Sequence, residues 1–386
     1  MGINKMISFF KKTKDLLRYL YVSYSMPRVV SSDGKEKVLI CYIKSPFYFT
    51  NKPMKHCNVI ESRKIAEVFQ EFGYSVDVVD YQCKRKIDYS KYSLIFGFGI
   101  PFRDSFNHNK NVKRICYLTG SNPHFINEME AKRLNDIFKR KGKLLKPKRE
   151  TYWPWVFTAI NSDLVILTGN EHTKFTYQDL INDIKTVPVP AVPSNLMPNE
   201  SPTKGFLWFG GAGAVHKGLD LILDGMNNFN NNFKIDICGP IKSETEFFDL
   251  YKGDIQKENI NFIGMIDPAS LEMQHVIKNN SFVILPSCSE GMASSVITCM
   301  QHGLIPLITK ECGIDIEDFV IEIKELTPEA TKEAILRALN LSNNEIETMK
   351  NKAIEYTKKY SSDMYFKHCF KNAIYDHIDS EIILKK

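Results

Sequence analysis

Short apolar runs recur along the chain, and each is followed by a segment of helical or polar character. After the run KVLICYI (37–43), the segment ESRKIAEVFQEFGYSVDVVDY gives an apolar-periodic helix, a stop at Gly73 and another strand. Strand, helix and strand in this order predict a parallel βαβ unit. The alternation continues in the runs SLIFGFG (93–99), RICYLTG (114–120), LVILTGN (164–170), FKIDICGP (233–240), NINFIGMI (259–266) and SFVILPS (281–287). We therefore predict an α/β protein with parallel sheets, whose ligands bind at the carboxyl edge of the strands.

A proline-rich stretch, TVPVPAVPSNLMPNESPTKG, divides these runs into two series. Its prolines exclude both a helix and a central strand; they are Pro188, Pro190, Pro193, Pro198 and Pro202. A chain of 386 residues is also too long for one ordinary core. We predict two Rossmann-like domains that face a central cleft. The predicted divisions are a basic N-terminal extension (1–36), an N-terminal Rossmann-like domain (37–187), a linker (188–204), a C-terminal Rossmann-like domain (205–360) and a C-terminal helical segment (361–386).

The composition is that of a globular protein of the cytoplasm. Hydrophobic residues make up 43% and charged residues 25% of the chain, and no apolar run approaches the roughly 18 residues of a spanning helix. The first 25 residues are interrupted by Lys11, Lys12, Lys14 and Arg18, which is not the pattern of a signal peptide. The 9 cysteines are scattered without a Cys-x-x-Cys pair, so we expect a reduced compartment, no disulfide framework and no zinc site.

The net charge of +6 is unevenly distributed. Basic residues crowd one strip, comprising Lys139, Arg140, Lys141, Lys143, Lys146, Lys148 and Arg149, and the opening stretch INKMISFFKKTKDLLRYLYVSY mixes apolar and basic residues. Either segment could lie on an anionic membrane surface, which would make the protein peripheral on the inner membrane face. The alternatives are a solvated loop or helix end for the strip and packing against the folded body for the opening stretch. No nucleic-acid-binding motif accompanies the charge, so we expect no nucleic-acid partner.

The stretch FLWFGGAGAVHKGLDLIL (206–223) reads as a strand, a glycine-rich turn and a helix. It is neither a dinucleotide fingerprint, which needs glycine at His216, nor a Walker loop, which needs lysine at Leu219. Its glycines, Gly210, Gly211 and Gly213, let backbone N–H groups approach an oxyanion, and Lys217 adds a positive charge. The turn is therefore predicted to hold a phosphate; the alternative is a tight turn with a solvated lysine.

A second turn follows a strand end in PSCSEGMASSVITCMQHGLIPLIT (286–309). Glu290 and Gly291 lie in this turn, and Ser294 and Ser295 begin the helix after it. The carboxylate can accept hydrogen bonds from sugar hydroxyls at the same sheet edge as the glycine turn. The alternative is a purely stabilising role, because a carboxylate is favourable at a helix start.

These segments resemble the group 1, or family 4-like, glycosyltransferases of the GT-B fold. The matching motifs are HKGLDLIL after the glycine turn, ICGP, NINFIG, and PSCSEG followed by GLIPLIT, within residues 206–310. The resemblance implies a hexosyltransferase that moves a sugar from a nucleotide sugar to a glycan or lipid-linked glycan in bacterial surface polysaccharide synthesis. It implies retention at the anomeric carbon and catalysis without a metal or another cofactor, and the sequence contains no Asp-x-Asp pair.

The resemblance also implies residue roles. Lys217 contacts the donor diphosphate, Glu290 contacts the donor sugar, and His124 faces that sugar. The predicted donor site comprises Gly210, Gly211, Gly213, His216, Lys217, Glu290, Gly291, Ser294, Ser295 and Thr298, and the predicted acceptor site comprises His56, Asn58, Glu61, Arg133 and Arg149. Two departures stand out, because the family often has an arginine where this chain has Ala212 and a ribose-binding glutamate where it has Thr298.

These departures keep a second class of function open. A catalytically inactive partner could retain the fold and bind a sugar nucleotide or a neighbouring transferase. A nucleotide-sugar epimerase of the same fold is the alternative among enzymes, and a nucleic-acid-binding module is a third reading.

Overall fold

The computed structural model describes residues 16, 19–48, 56–152, 155–226 and 234–378. The strands are β1 (Arg28–Ser31), β2 (Glu36–Tyr42), β3 (Tyr74–Asp80), β4 (Leu94–Gly97), β5 (Lys113–Leu118), β6 (Leu164–Thr168), β7 (Ile184–Val187), β8 (Phe206–Phe209), β9 (Ile235–Cys238), β10 (Ile260–Gly264), β11 (Phe282–Leu285), β12 (Ile305–Ile308) and β13 (Ile321–Glu322). The α-helices are α1 (Cys57–Glu71), α2 (Gly99–His108), α3 (Pro123–Lys141), α4 (Trp155–Ile160), α5 (Glu171–Phe175), α6 (Leu219–Gly225), α7 (Thr245–Leu250), α8 (Lys252–Ile255), α9 (Leu271–Asn279), α10 (Ser294–Met300), α11 (Pro328–Asn340), α12 (Asn343–Tyr360) and α13 (Asp363–Ile374).

The first half of the chain forms a 7-stranded sheet in the order β1-β3-β2-β4-β5-β6-β7. Strands β2 to β7 are parallel, as the alternation of strands and helices predicts, and β1 adds to the edge in antiparallel orientation. Strand β1 lies inside the predicted N-terminal extension, so part of that segment belongs to the sheet. The rest of the basic opening stretch falls largely outside the described residues.

The second half forms a 6-stranded parallel sheet in the order β10-β9-β8-β11-β12-β13. This is the standard Rossmann order, and the chain reverses direction across the sheet between β8 and β11. The glycine turn follows β8 and the acidic turn follows β11. Both predicted donor motifs therefore leave the sheet at its topological switch point, where open α/β sheets bind ligands.

The chain crosses between the two sheets at three places. Residues 188–205 form neither helix nor strand and carry the chain from the first sheet to the second. Helix α13 returns and packs on the first sheet, where Phe366 and Phe370 join its core. Helix α3 makes the third crossing, because Leu134 and Ile137 are buried in the core of the second sheet although they precede the linker by some fifty residues.

None of the helices in the described ranges has the length and apolar content that a bilayer-crossing helix needs.

Candidate functional site

A cleft of about 520 Å³ opens between the carboxyl edges of the two sheets. One wall comes from the first half of the chain and includes His56, Asn58, Glu61 and Arg149, and the other includes Gly210, Gly211, Lys217, Glu290, Gly291, Ser294, Ser295 and Thr298. Most residues predicted from the sequence for either site thus lie on one cavity. Those outside its lining are His124, Arg133, Gly213 and His216.

The glycine turn already holds a carboxylate of the protein itself. The backbone N–H of Gly213 donates to Glu244 at 2.7 Å, and the N–H of Ala214 donates to the same carboxylate at 3.1 and 3.3 Å. The prediction that the Gly213 N–H holds a ligand phosphate is therefore corrected, because Glu244 occupies that N–H. Gly211, by contrast, is exposed on the cleft, and its N–H has no acceptor within the described part of the chain.

The two turns meet in an ion pair between Lys217 and Glu290. The Lys217 ammonium donates to the Glu290 carboxylate, and the side chains are 10% and 11% exposed. The Ser287 hydroxyl donates to the same carboxylate oxygen at 2.9 Å and so orients it. Burial opposes ionisation of Glu290, but the charges of Lys217 and Arg149 outweigh burial and lower the pKa of Glu290 to about 2. The carboxylate is ionised at every physiological pH and accepts hydrogen bonds only.

The acidic turn also forms hydrogen bonds that join the two halves of the chain. The Ser121 hydroxyl donates to the Glu290 carbonyl at 2.7 Å, and the Thr173 hydroxyl donates to the Gly291 carbonyl at 2.7 Å. A Cβ atom at position 291 would lie 2.7 Å from the Thr119 carbonyl oxygen and 2.9 Å from that of Thr168. Only glycine allows this approach without a shift of backbone, so Gly291 sets the spacing of the cleft walls.

Glu61 is the buried acid of the opposite wall. It is 2% exposed, and the hydroxyls of Tyr42 and Tyr117 donate to one of its carboxylate oxygens at 2.7 and 3.0 Å. Burial raises the pKa of Glu61 to about 7, although these two hydrogen bonds oppose the rise. The side chain can thus carry a proton or a charge near neutral pH. Either form can bond a hydroxyl of a ligand in the cleft.

His56 and Asn58 line the cleft at the start of helix α1. His56 caps this helix, because its ring nitrogen accepts from the Asn58 N–H at 3.3 Å. This leaves the Asn58 side chain beside the cleft, where the thiol of Cys57 donates to its oxygen at 3.0 Å.

His216 points away from the cleft and links the two halves of the chain. One ring nitrogen lies 2.8 Å from a carboxylate oxygen of Glu130, and the other lies 2.6 Å from the Ser289 carbonyl oxygen. Its place in the predicted donor site is therefore corrected, since both nitrogens are engaged within the protein. Among the described residues, Glu130, His216 and Cys288 offer ligand atoms within 4.8 Å of one another. The hydrogen bonds of Glu130 and His216 account for their arrangement.

Arg133 is likewise buried and does not reach the cleft. It is 1% exposed and donates to Asp220, itself 0% exposed, at 2.5 Å. Arg140 donates to the same Asp220 oxygen at 2.6 Å, and Lys141 lies 2.7 Å from Asp224. The acceptor role predicted for Arg133 is corrected. Within the basic strip, Arg140 and Lys141 dock helix α3 on helix α6.

Of the remaining predicted residues, two line the cleft and one lies outside it. His124 is exposed on the first turn of helix α3, outside the cleft lining. Thr298 lines the cleft, with its hydroxyl donating to the Ser294 carbonyl at 2.9 Å. Arg149 lines the cleft on the side of the glycine turn. A Cβ atom added at Gly213 would lie 2.5 Å from the Arg149 Cγ atom, so the arginine side chain lies over this turn. It is therefore on the donor side of the predicted arrangement.

Sequence reasoning missed three residues that organise the site. Glu244 fills the glycine turn, Ser287 orients Glu290, and Glu130 anchors both His216 and the backbone N–H groups of Lys148 and Arg149, at 2.9 and 3.3 Å. Ser287 lies three residues before Glu290, so the motif itself carried that signal. Glu130 and Glu244 act over large sequence separations and left no local pattern.

Two doubly wound parallel sheets that face one cleft, with their ligand-binding turns at a switch point, define the GT-B architecture. Solved structures share this architecture, but their sequence identities to this chain are so low that they establish only a common fold. Sucrose-phosphate synthase from Thermosynechococcus elongatus superposes with a TM-score of 0.62 at 12% identity, over 88% of this chain and 98% of its own. HepE from Anabaena, solved with UDP and glucose, gives 0.58 at 11% identity over 88% and 99%.

Residues 198–360 match the family described as glycosyl transferases group 1. An uncharacterized glycosyltransferase from Methanocaldococcus jannaschii is 25% identical over 213 residues, which is 53% of this chain. The alignment spans 57% of that curated relative's length. The match of residues 198–360 to the group 1 glycosyl transferases confirms the resemblance found in the sequence, and the solved structures confirm the predicted fold class.

Proposed function

We propose that the protein transfers a sugar from a nucleoside-diphosphate sugar to a hydroxyl of a glycan or lipid-linked glycan. The observation that carries this proposal is the pairing of Lys217 with Glu290 at the switch point of the second sheet. One group can hold an anion and the other can accept hydrogen bonds from sugar hydroxyls, and both face the cleft within contact of each other. The family match and the structures of HepE in complex with UDP and glucose and with UDP-glucose support the donor class.

In the proposed reaction, the bond between the anomeric carbon and the diphosphate oxygen breaks, and its electron pair remains on the diphosphate. The acceptor hydroxyl oxygen forms the new bond to the same carbon, and its proton passes to the departing diphosphate oxygen. Positive charge and N–H donors aimed at that oxygen lower the barrier. Lys217 and the Gly211 N–H line the cleft where they can supply them. We propose retention of configuration and catalysis that needs neither metal nor another cofactor.

The cleft offers distinct surroundings for the parts of the two substrates. Beyond the glycine turn, the cavity is lined by Gly239, Met265, Ile266 and Pro268, a largely apolar surface suited to the flat nucleobase. The opposite wall presents His56, Asn58 and Glu61 to the acceptor. We propose a hexose as the transferred sugar, surface polysaccharide synthesis as the setting and the inner membrane face as the location. The basic opening stretch and the family analogy support the last two proposals.

The first test is thermal stabilisation of the purified protein by UDP, GDP, ADP and their hexose conjugates. Stabilisation reports binding to the folded state, so at a fixed concentration the conjugate that binds most tightly should raise the melting temperature most. Lys217→Ala should abolish the rise with the diphosphate, and Glu290→Gln should reduce the extra rise from the sugar. Lys278→Ala removes an exposed lysine on helix α9 and serves as the matched control.

Release of nucleoside diphosphate from the stabilising donor, only when an acceptor glycan is added, completes the test. Nucleotide release without acceptor dependence, or interconversion of the sugar, would favour an epimerase. If the donor binds and Lys217→Ala leaves both binding and cell-surface glycan unchanged, the inactive-partner reading replaces the proposal. Ala212 and Thr298 are the departures that keep that reading in view.

A further inference from the structure

The ion pair of Lys217 with Glu290 leaves the donor site short of positive charge. The two side chains neutralise each other before any ligand arrives. The Gly213 N–H donates to the Glu244 carboxylate and is not open to a ligand phosphate. A departing nucleoside diphosphate gains negative charge as its bond to the sugar breaks, so a second cation near Gly211 would be required to stabilise it.

Arg149 lies where that cation is needed. It lines the same cavity as Gly210, Gly211 and Lys217. Its aliphatic part crosses the glycine turn, because its Cγ and Cδ atoms lie 2.5 and 3.0 Å from the point where a Cβ added at Gly213 would stand. Its charge also reaches Glu290, whose pKa it helps to lower. Within the described ranges, the Arg149 guanidinium has neither an ion-pair nor a hydrogen-bond partner.

The placement of Arg149 is built into the packing. One carboxylate oxygen of Glu130 accepts from the backbone N–H groups of Lys148 and Arg149, and the other contacts the His216 ring. Glu130 is 2% exposed and His216 is 1% exposed. A buried carboxylate thus fastens the end of the basic strip to the segment that carries Lys217. The glycine at position 213 leaves the space that the arginine stem occupies.

We infer that Arg149 binds the diphosphate of the donor as the second cation beside Lys217, and that Glu130 is the positioning residue that holds it there. The inference rests on the proposed function and assigns to the first half of the chain a residue of the donor site. Arginine suits this role, because its planar fork bonds two phosphate oxygens at once and it stays charged at every working pH. Ala212, on the turn itself, supplies no charge.

The test measures the affinity of the best-binding nucleoside diphosphate by calorimetry, with its nucleoside and monophosphate for comparison. Arg149→Gln should weaken diphosphate binding by about tenfold to a hundredfold, the usual loss for a charged hydrogen bond, and leave nucleoside binding unchanged. Arg149→Lys should restore part of the loss. Lys148→Gln is the matched control, since it removes the neighbouring exposed charge, and Lys148 does not line the cleft.

The outcomes separate this inference from the proposed function. If wild type binds the diphosphate, Lys217→Ala weakens it and Arg149→Gln does not, the inference is overturned and the proposed function stands. Equal losses in Arg149→Gln and Lys148→Gln would show a diffuse field instead of a contact, and would also overturn it. A raised KM for the acceptor with unchanged diphosphate affinity would assign Arg149 to the acceptor side. If no nucleotide binds wild type, both proposals fail.

Discussion

Replacement of Glu61 by glutamine should change how the stability of the protein depends on pH. Glu61 is buried between Tyr42 and Tyr117, and burial raises its pKa from the ordinary 4.5 to about 7. Below pH 4.5 the carboxyl is protonated in both the folded and the unfolded chain, so it carries no penalty. Between pH 4.5 and 7 the unfolded chain releases this proton while the folded chain retains it, and stability falls as the pH rises.

The size of the effect follows from the two pKa values. At about 1.36 kcal/mol per pH unit, the full penalty is about 3 kcal/mol and is reached above pH 7, where both states are ionised. Glutamine keeps a hydrogen-bonding side chain of similar shape and removes the titration. The free energy of unfolding of wild type relative to Glu61→Gln should therefore fall by about 2 to 3 kcal/mol between pH 5 and pH 8.

Urea unfolding of both proteins across this pH range, followed by intrinsic fluorescence, measures the difference. Glu258→Gln, which removes an exposed carboxylate, controls for the loss of one charge. A difference between wild type and Glu61→Gln that stays constant with pH, or that grows in favour of wild type at pH 8, would refute the assignment of a raised pKa to Glu61.

Two further predictions concern the contacts that hold the halves together. Asp220→Asn removes the buried counter-ion of Arg133 and leaves it only the longer contact of 3.5 Å with the partly exposed Asp136, so the free energy of unfolding should fall by about 3 to 5 kcal/mol. The double change with Arg133→Met should recover most of this loss. A loss below about 1 kcal/mol in chemical unfolding would contradict the ion pair. Gly291→Ala forces a Cβ against the carbonyl oxygens of Thr119 and Thr168, so the free energy of unfolding should fall by about 1 to 3 kcal/mol. The turnover rate should fall more than the affinity for the donor. Full activity in a coupled nucleotide-release assay would show that the spacing of the cleft walls is not critical.

The fold could be predicted because its signals are local. Each strand run is short, apolar and followed by a helical period, and the prolines of the linker exclude continuation of either sheet. The donor turns were recognisable for the same reason, since Lys217 and Glu290 stand within a few residues of the strands that position them. These features depend on residues that are close in sequence, and secondary-structure propensity is set by such residues.

The arrangement around the donor turn could not be predicted in this way. Glu244 occupies the Gly213 N–H across 31 residues, and Glu130 contacts His216 across 86. The contact of Glu130 depends on how helix α3 docks, and neither contact leaves a local pattern in the sequence. The basic residues of helix α3 show the same limit, because charge alone does not distinguish a solvent-facing lysine from Arg133, which is buried against Asp220.

Helix α3 precedes the linker in sequence, but its apolar side chains pack in the core of the second sheet. A genetic exchange with a relative at the proline-rich segment would therefore inherit Leu134 and Ile137 from one parent and the surface that buries them from the other. Helix α13 adds the converse constraint, because it follows the second sheet in sequence and packs on the first. A viable chimaera therefore keeps both α3 and α13 with the sheets on which they pack. The same rule applies to expression of the second half alone, which would leave an apolar groove open to water and prone to aggregation.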